Sequence, residues 1–216
     1  MAEHPGRERR RGRQRTGTFP SYKMDKPVRY RSPYERMMYF LLELDVDVVG
    51  YEHEPFRITA RFDDGEDHDY TPDIQAWCRK RRNRLYEIKG EDYVDDEHTH
   101  QQVDIGRAWC VENDHQFLLI SSADLRADAL QANAELLWDY RWRALPAPFI
   151  WECRDLVASL EDRALIAALR AHIALTYPSL PPLPAIYNML FHHHLATDLR
   201  QPLGPESLLR CDDEEV

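Results

Sequence analysis

At 216 residues, 43% of them hydrophobic, the chain is long enough for one or two domains and apolar enough to bury a core. No run approaches the ~18 apolar residues of a membrane span, and the arginine-rich start lacks the apolar stretch of a secretory signal. A soluble, cytoplasmic protein with no membrane partner is expected. Cys78, Cys110, Cys153 and Cys211 are far apart and form no CxxC pair, which argues against a zinc site or a disulfide framework.

The formal charge of −10 runs against a DNA-binding role, but it is unevenly spread. Residues 1–17 carry six arginines against two glutamates, a balance of +4 that leaves −14 for the rest. Residues 1–28 therefore read as a basic flexible arm, laid along a DNA backbone or an acidic partner, or simply solvated. A body this acidic would hold free DNA weakly, so affinity and target choice would come from a more basic partner.

The first element follows Ser32-Pro33, an N-cap and a first-turn proline, and carries Met37, Met38, Leu41, Leu42 and Leu44 at helical spacing. Glu35 falls at its third position, where an acid either closes a capping box onto Ser32 or faces a metal. Strands are expected at 46–51 and 56–62, the second ending at Asp63-Asp64-Gly65. Thr71-Pro72-Asp73 opens an apolar segment with Ile74, Ala76 and Trp77; the basic turn Arg79-Lys80-Arg81-Arg82-Asn83 follows; and Leu85-Tyr86-Glu87-Ile88-Lys89 forms the returning strand. Antiparallel pairing across that turn brings Asp73 level with Glu87 and Lys89. Residues i and i+2 of a strand share a face, so Glu87 and Lys89 point together while Ile88 packs into the opposite core. Phosphodiester cleavage needs a hard divalent cation held by oxygen ligands, which Asp73, Glu87 and the carbonyl of Ile88 would supply. A lysine beside them would orient water or stabilise transition-state charge.

A helix is expected at 95–112 with Val103, Ile105, Ala108, Trp109 and Val111 on its apolar face, then a short buried strand at 117–120 and a further helix at 127–142. Asp95, Asp96, Glu97, His98 and His100 read as an exposed helix start rather than a metal site. Gln101 and Gln102 are further polar candidates on the same helix. Leu145-Pro146-Ala147-Pro148 marks a boundary. Beyond it come a helix over 155–175 with a break near Glu161-Asp162, a proline-rich connection, a helix over 185–194, and a hairpin with arms at 195–199 and 207–210. His192-His193-His194 cannot converge on one ion from a helix, because neighbouring side chains diverge by about 100°.

Residues 32–89 resemble the TnsA family, the endonuclease subunits of Tn7-type heteromeric transposases. The likeness is carried by Ser-Pro-Tyr-Glu-Arg, Tyr-Phe-Leu-Leu-Glu-Leu, Gly50-Tyr51-Glu52-His53-Glu54-Pro55, Tyr70-Thr71-Pro72-Asp73 and Glu87-Ile88-Lys89. Carried over, Glu35 matches the family's helix acid, Asp73 its central metal ligand, Glu87 the second ligand, where some members have Gln, and Lys89 the catalytic lysine. The resemblance implies an α/β fold: a restriction-endonuclease-like mixed sheet flanked by helices over 29–145, then a small helical, winged-helix-like partner-binding domain over 146–210 and an acidic tail at 211–216. It also implies a Mg²⁺-dependent endonuclease, with Mn²⁺ substituting, whose metal ligands are Glu35, Asp73, Glu87 and Ile88. Such an enzyme cuts the 5′ strand of transposon-end DNA beside a DDE-type transposase, with an AAA+ ATPase regulator docking on the C-terminal domain and the complex on the bacterial nucleoid. A stand-alone restriction or repair nuclease of the same fold and a non-catalytic assembly subunit are the alternatives.

Overall fold

The computed structural model describes residues 16–61, 65–160 and 164–211. Its first element is a hairpin of β1 (Gly17–Pro20) and β2 (Pro27–Tyr30), paired antiparallel from Gly17↔Tyr30 to Pro20↔Pro27. Phe19 is buried against Tyr39, Phe40 and Trp138, with ring centroids 5.0–5.5 Å apart. Residues 17–28 thus belong to the folded body and not to a flexible arm; one buried aromatic and a strand ladder outweigh the polar composition around them. The arginines at 7–15 lie outside the described residues.

Helix α1 (Pro33–Leu44) starts as its sequence dictates, with Ser32 extended and its hydroxyl accepting the Glu35 N–H at 3.1 Å. Met38, Tyr39, Phe40, Leu42 and Leu44 are buried. After it come β3 (Val48–His53), the hairpin β4 (Ile58–Arg61) and β5 (Asp67–Tyr70), then β6 (Ile74–Cys78) and β7 (Arg84–Lys89). Helix α2 (Glu97–Glu112) returns the chain to β8 (Gln116–Ser121), and α3 (Leu130–Trp138) follows.

The main sheet has the order β3-β6-β7-β8, antiparallel except for the parallel β7–β8 pair. A parallel pair requires a crossover, and α2 provides it. β7 separates two cores. Tyr86 and Ile88 face the large cluster under α1, whereas Leu85 joins Ile58, Tyr70, Ile105 and Cys110 under α2 and the β4–β5 hairpin. A mixed sheet with helices on both faces is thereby established.

Several expectations change. β5 lies in a segment read as a loop. β8 is the edge strand and only half-buried. The inner stripe of α2 is Thr99, Val103, Gly106 and Cys110 with Ile105, while Ala108 and Val111 face solvent, Val111 at 84% exposure. Gly106 admits the Phe117 ring so closely that a Cβ there would lie 2.2 Å from it. α3 is shorter at both ends than the 127–142 expectation.

Past residue 145 the helix expected over 155–175 with a break near Glu161-Asp162 is indeed two, α4 (Ala147–Leu160), which starts earlier than expected, and α5 (Ile166–Thr176), and α6 (Pro182–Phe191) takes Pro182 and Pro184 into its first turn. The expected hairpin pairs over only two residues on each arm, β9 (Leu195–Ala196) with β10 (Arg210–Cys211). A third segment joins them: Leu165 bridges Leu208, and the Leu209 N–H donates to the Ala164 carbonyl at 2.7 Å. Cys211 of the expected acidic tail is in β10, and 212–216 lie outside the described residues. The expected division at 145/146 is not a break in the core: one buried cluster runs from Phe19 through Tyr39, Ile74 and Leu137 to Phe149, Met189 and Leu209. Two of the three histidines serve that junction, while the His194 carbonyl accepts from Arg154 within the C-terminal part. His192 Nε2 lies 2.8 Å from the Arg141 carbonyl oxygen and His193 Nε2 2.8 Å from that of Leu44.

Candidate active site

The turn between β6 and β7 is tied by its own side chains. Asn83 Oδ1 accepts the Cys78 N–H at 3.0 Å, Asp47 accepts the Lys80 N–H at 2.7 Å, and Arg84 pairs with Asp45 and Asp47 at 2.7 and 3.2 Å. The resulting register, Ile74↔Tyr86 and Gln75↔Leu85, sets Asp73 opposite Glu87. Asp73 is fixed on both sides: its N–H donates to the Tyr86 carbonyl at 3.1 Å, and its carbonyl accepts the Glu54 N–H at 2.9 Å. Its carboxylate Oδ2 accepts the Ile88 N–H at 2.7 Å. The N–H and C=O of a strand residue leave the same edge, so the Ile88 carbonyl also points to this side, past the start of β6.

Glu87 is 1% exposed, yet its two oxygens have different partners. Oε2 accepts the Tyr70 hydroxyl at 2.8 Å and Oε1 is ion-paired with Lys89 Nζ. Two carboxyl groups therefore lie near one lysine, which pairs with Glu87 and reaches Asp73 only through its charge. Burial, and then the charge of Glu87, push the Asp73 carboxyl well above the usual carboxylate range; Glu35 adds to the rise, while the Ile88 N–H and Lys89 oppose it. Burial and the Glu87 carboxylate likewise drive the Tyr70 phenol far up, so it stays a hydrogen-bond donor.

Glu35 is placed differently. Its Oε2 accepts the Arg31 N–H at 2.7 Å and lies 3.0 Å from His53 Nε2. Burial opposes its ionisation, but hydrogen bonds from His53, Arg31 and Ser32 outweigh burial and hold the carboxyl below its usual range. The cap is formed, reaching Arg31 one residue beyond the expected Ser32. The charge of Glu35 is felt at Asp73, but its carboxylate is engaged with the cap and His53. Among the described residues no three His, Cys, Asp or Glu side chains are grouped to hold a metal ion. The oxygen donors that converge are Asp73, Glu87 and the Ile88 main chain.

Of the other candidates, Gln101 Nε2 is 2.9 Å from His68 Nδ1 on β5, and Gln102 Oε1 is buried without a hydrogen-bond partner. Glu97, His98 and His100 are exposed, as expected of a helix start. Sequence reasoning missed Tyr70 and His53, the residues that hold Glu87 and Glu35. Tyr70 stands three residues before Asp73 in Tyr-Thr-Pro-Asp, but no spacing signals that its hydroxyl crosses to β7. An open cleft of about 550 Å³ adjoins His53, lined also by Arg29, Arg31 and Glu54.

No protein-family model matches the chain, and no curated protein matches it.

Proposed function

We propose that the protein is a metal-dependent DNA endonuclease of the restriction-endonuclease-like type, cutting the 5′ strand at transposon ends in company with a DDE-type transposase. The observation that carries this reading is the meeting of Asp73, Glu87, Lys89 and the Ile88 main chain where β6 begins and β7 ends. An all-oxygen donor set with a raised aspartate fits a hard divalent cation, because a second positive charge would relieve the crowding of two carboxylates around one lysine. Asp73, Glu87 and the Ile88 carbonyl would hold Mg²⁺ or Mn²⁺, which when bound polarises a phosphoryl oxygen and lowers the pKa of an attacking water. Lys89 meets the charge that grows on the phosphoryl group. The Ile88 N–H orients Asp73, and the Tyr70 hydroxyl fixes the plane of Glu87. Glu35, turned to His53, acts on Asp73 through its charge.

The C-terminal order supports the winged-helix reading: α4, the single bridge at Leu165, α5, α6, β9, a loop, then β10. α6 carries no lysine or arginine, which favours a protein surface, the regulator's, over DNA for this module.

The test is cleavage of labelled transposon-end DNA by the protein with its cognate transposase and Mg²⁺. Loss of only the 5′-strand cut in Asp73→Ala and in Lys89→Ala supports the reading. Retained 5′ cutting in either variant removes it, and cutting by the purified chain alone favours a stand-alone nuclease.

A further inference from the structure

At the opposite end of α1 from Glu35, about 14 Å away along the helix, the chain after α3 closes a pocket of about 450 Å³ against the end of α6. Its wall includes Tyr22, Arg141, Trp142, Arg143, His192 and His194, and no aspartate or glutamate. Arg141 is the unusual member. It is 8% exposed, its guanidinium lies 3.1 Å from the Trp138 ring centroid and 4.8 Å from that of Trp142, and it donates to the Trp138 carbonyl at 2.6 Å. Its Nε has no hydrogen-bond partner, and no carboxylate pairs with it among the described residues. Burial pulls its pKa down, while Glu43 and Asp139 act on it only at a distance. A buried guanidinium without a counter-ion is a standing cost that a bound anion would remove.

The surroundings say which anion. Arg143 makes no ion pair among the described residues. An adjoining groove of about 270 Å³ shares Tyr22 and His192 with the pocket and adds Arg79, and Lys23 with its ammonium turned onto the Leu42 and Asp45 carbonyls. The groove's one acid, Glu43, is 2% exposed and turned inward onto Ser21, Tyr51 and two backbone amides. On a chain of net charge −10 this is a concentration of positive potential. Trp142, 61% exposed, stands over it with its ring 5.0 Å from Tyr22. Cations for a phosphate beside an exposed aromatic for a base are the two parts of a strand-binding surface.

We propose that this pocket is a phosphate-binding site for a single nucleic-acid strand, with Arg141 and Arg143 on a backbone phosphate and Trp142 stacking a base. The site is separate from the candidate cutting site and does not rest on the nuclease reading. The test is fluorescence anisotropy of a labelled twelve-nucleotide single strand with the full chain in EDTA, so that no cleavage intervenes. Because Arg141 is buried, the exposed positions carry the test: Arg143→Glu weakens binding roughly tenfold or more, and Trp142→Ala by about 5- to 100-fold. Arg143→Ala lowers the slope of log K against log salt by about 0.7. Arg107→Glu, exposed on α2 and far from the pocket in sequence and element, binds as the parent does. Absence of strand binding by the parent chain, or unchanged binding by Arg143→Glu and Trp142→Ala, overturns the proposal. Displacement of the strand by a poly-glutamate peptide at the same concentration as by unlabelled strand also overturns it, in favour of an acidic protein partner.

Discussion

The two ends of α1 each bury acids, and they treat them in opposite ways. At the C-terminal end Glu43 is surrounded by donors: the Ser21 hydroxyl, the Tyr22 and Lys23 amides, and the Tyr51 hydroxyl at 2.7 Å. At the N-terminal end Asp73 and Glu87 lie opposite each other, with one lysine, paired to Glu87, to offset them. Burial brings the Lys23 amine down to about 8 at the donor-rich end, whereas burial and Glu87 push the Asp73 carboxyl up at the acid-rich end. Burial alone does not separate a structural carboxylate from a functional one; the count of donors around it does.

The comparison breaks most visibly in activity. Asp73→Ala and Lys89→Ala should each lower 5′-strand cleavage by roughly 10³-fold in a reconstituted end-cleavage assay, while Glu43→Gln leaves the rate per folded molecule unchanged. Stability reverses the ranking. Glu43→Leu orphans several buried donors and should cost about 3–5 kcal/mol in a urea titration, which would be contradicted by an unchanged midpoint. Asp73→Asn relieves charge crowding and should stabilise the metal-free protein by about 1 kcal/mol, roughly 2–4 °C in Tm for a chain of this length, even as cutting is lost.

The smallest effects are in pH. Asp73 binds its proton more tightly folded than unfolded, so its contribution makes the metal-free protein less stable as pH rises from about 4 toward the raised folded value. Lys23 is the mirror case: folded, it loses its proton near pH 8, and unfolded only near 10.5, so stability should climb across that interval. Melting curves of Asp73→Asn and Lys23→Met against pH check both, each variant flattening its own limb alone.

What the sequence disclosed follows the same divide. The pairing of Asp73 with Glu87 was legible because a five-residue basic turn between two apolar runs leaves little choice of register, and Ser32-Pro33 announced α1 and its cap. The Glu43 cage was not legible. An acid in the last turn of an amphipathic helix looks solvent-facing, and its donors come from Tyr51 and from a stretch whose apolar residues, Phe19, Met24 and Val28, follow no helical or strand period. The α2 stripe was misread because Thr99 and Gly106 count as polar or neutral although they lie against the sheet, while Val111 does not. Tyr70 and His53 depend on β5 and β3 lying beside the site, which only the tertiary packing determines.

The contact of His193 with the Leu44 carbonyl spans 149 positions of sequence, and it belongs to a core that closes only when the last helix arrives. All four residues of the candidate site are synthesised before position 90, but the helix bearing Glu35 rests on partners made near the end. During translation the chain carries its acidic residues on an open core until the C-terminal segment docks, and long-range closure of this kind is slow. A chain stopped at residue 145 would leave the apolar faces of α1 and α3 without the C-terminal helices that complete their core, so residues 1–145 made alone should be removed by a protease before the full chain is.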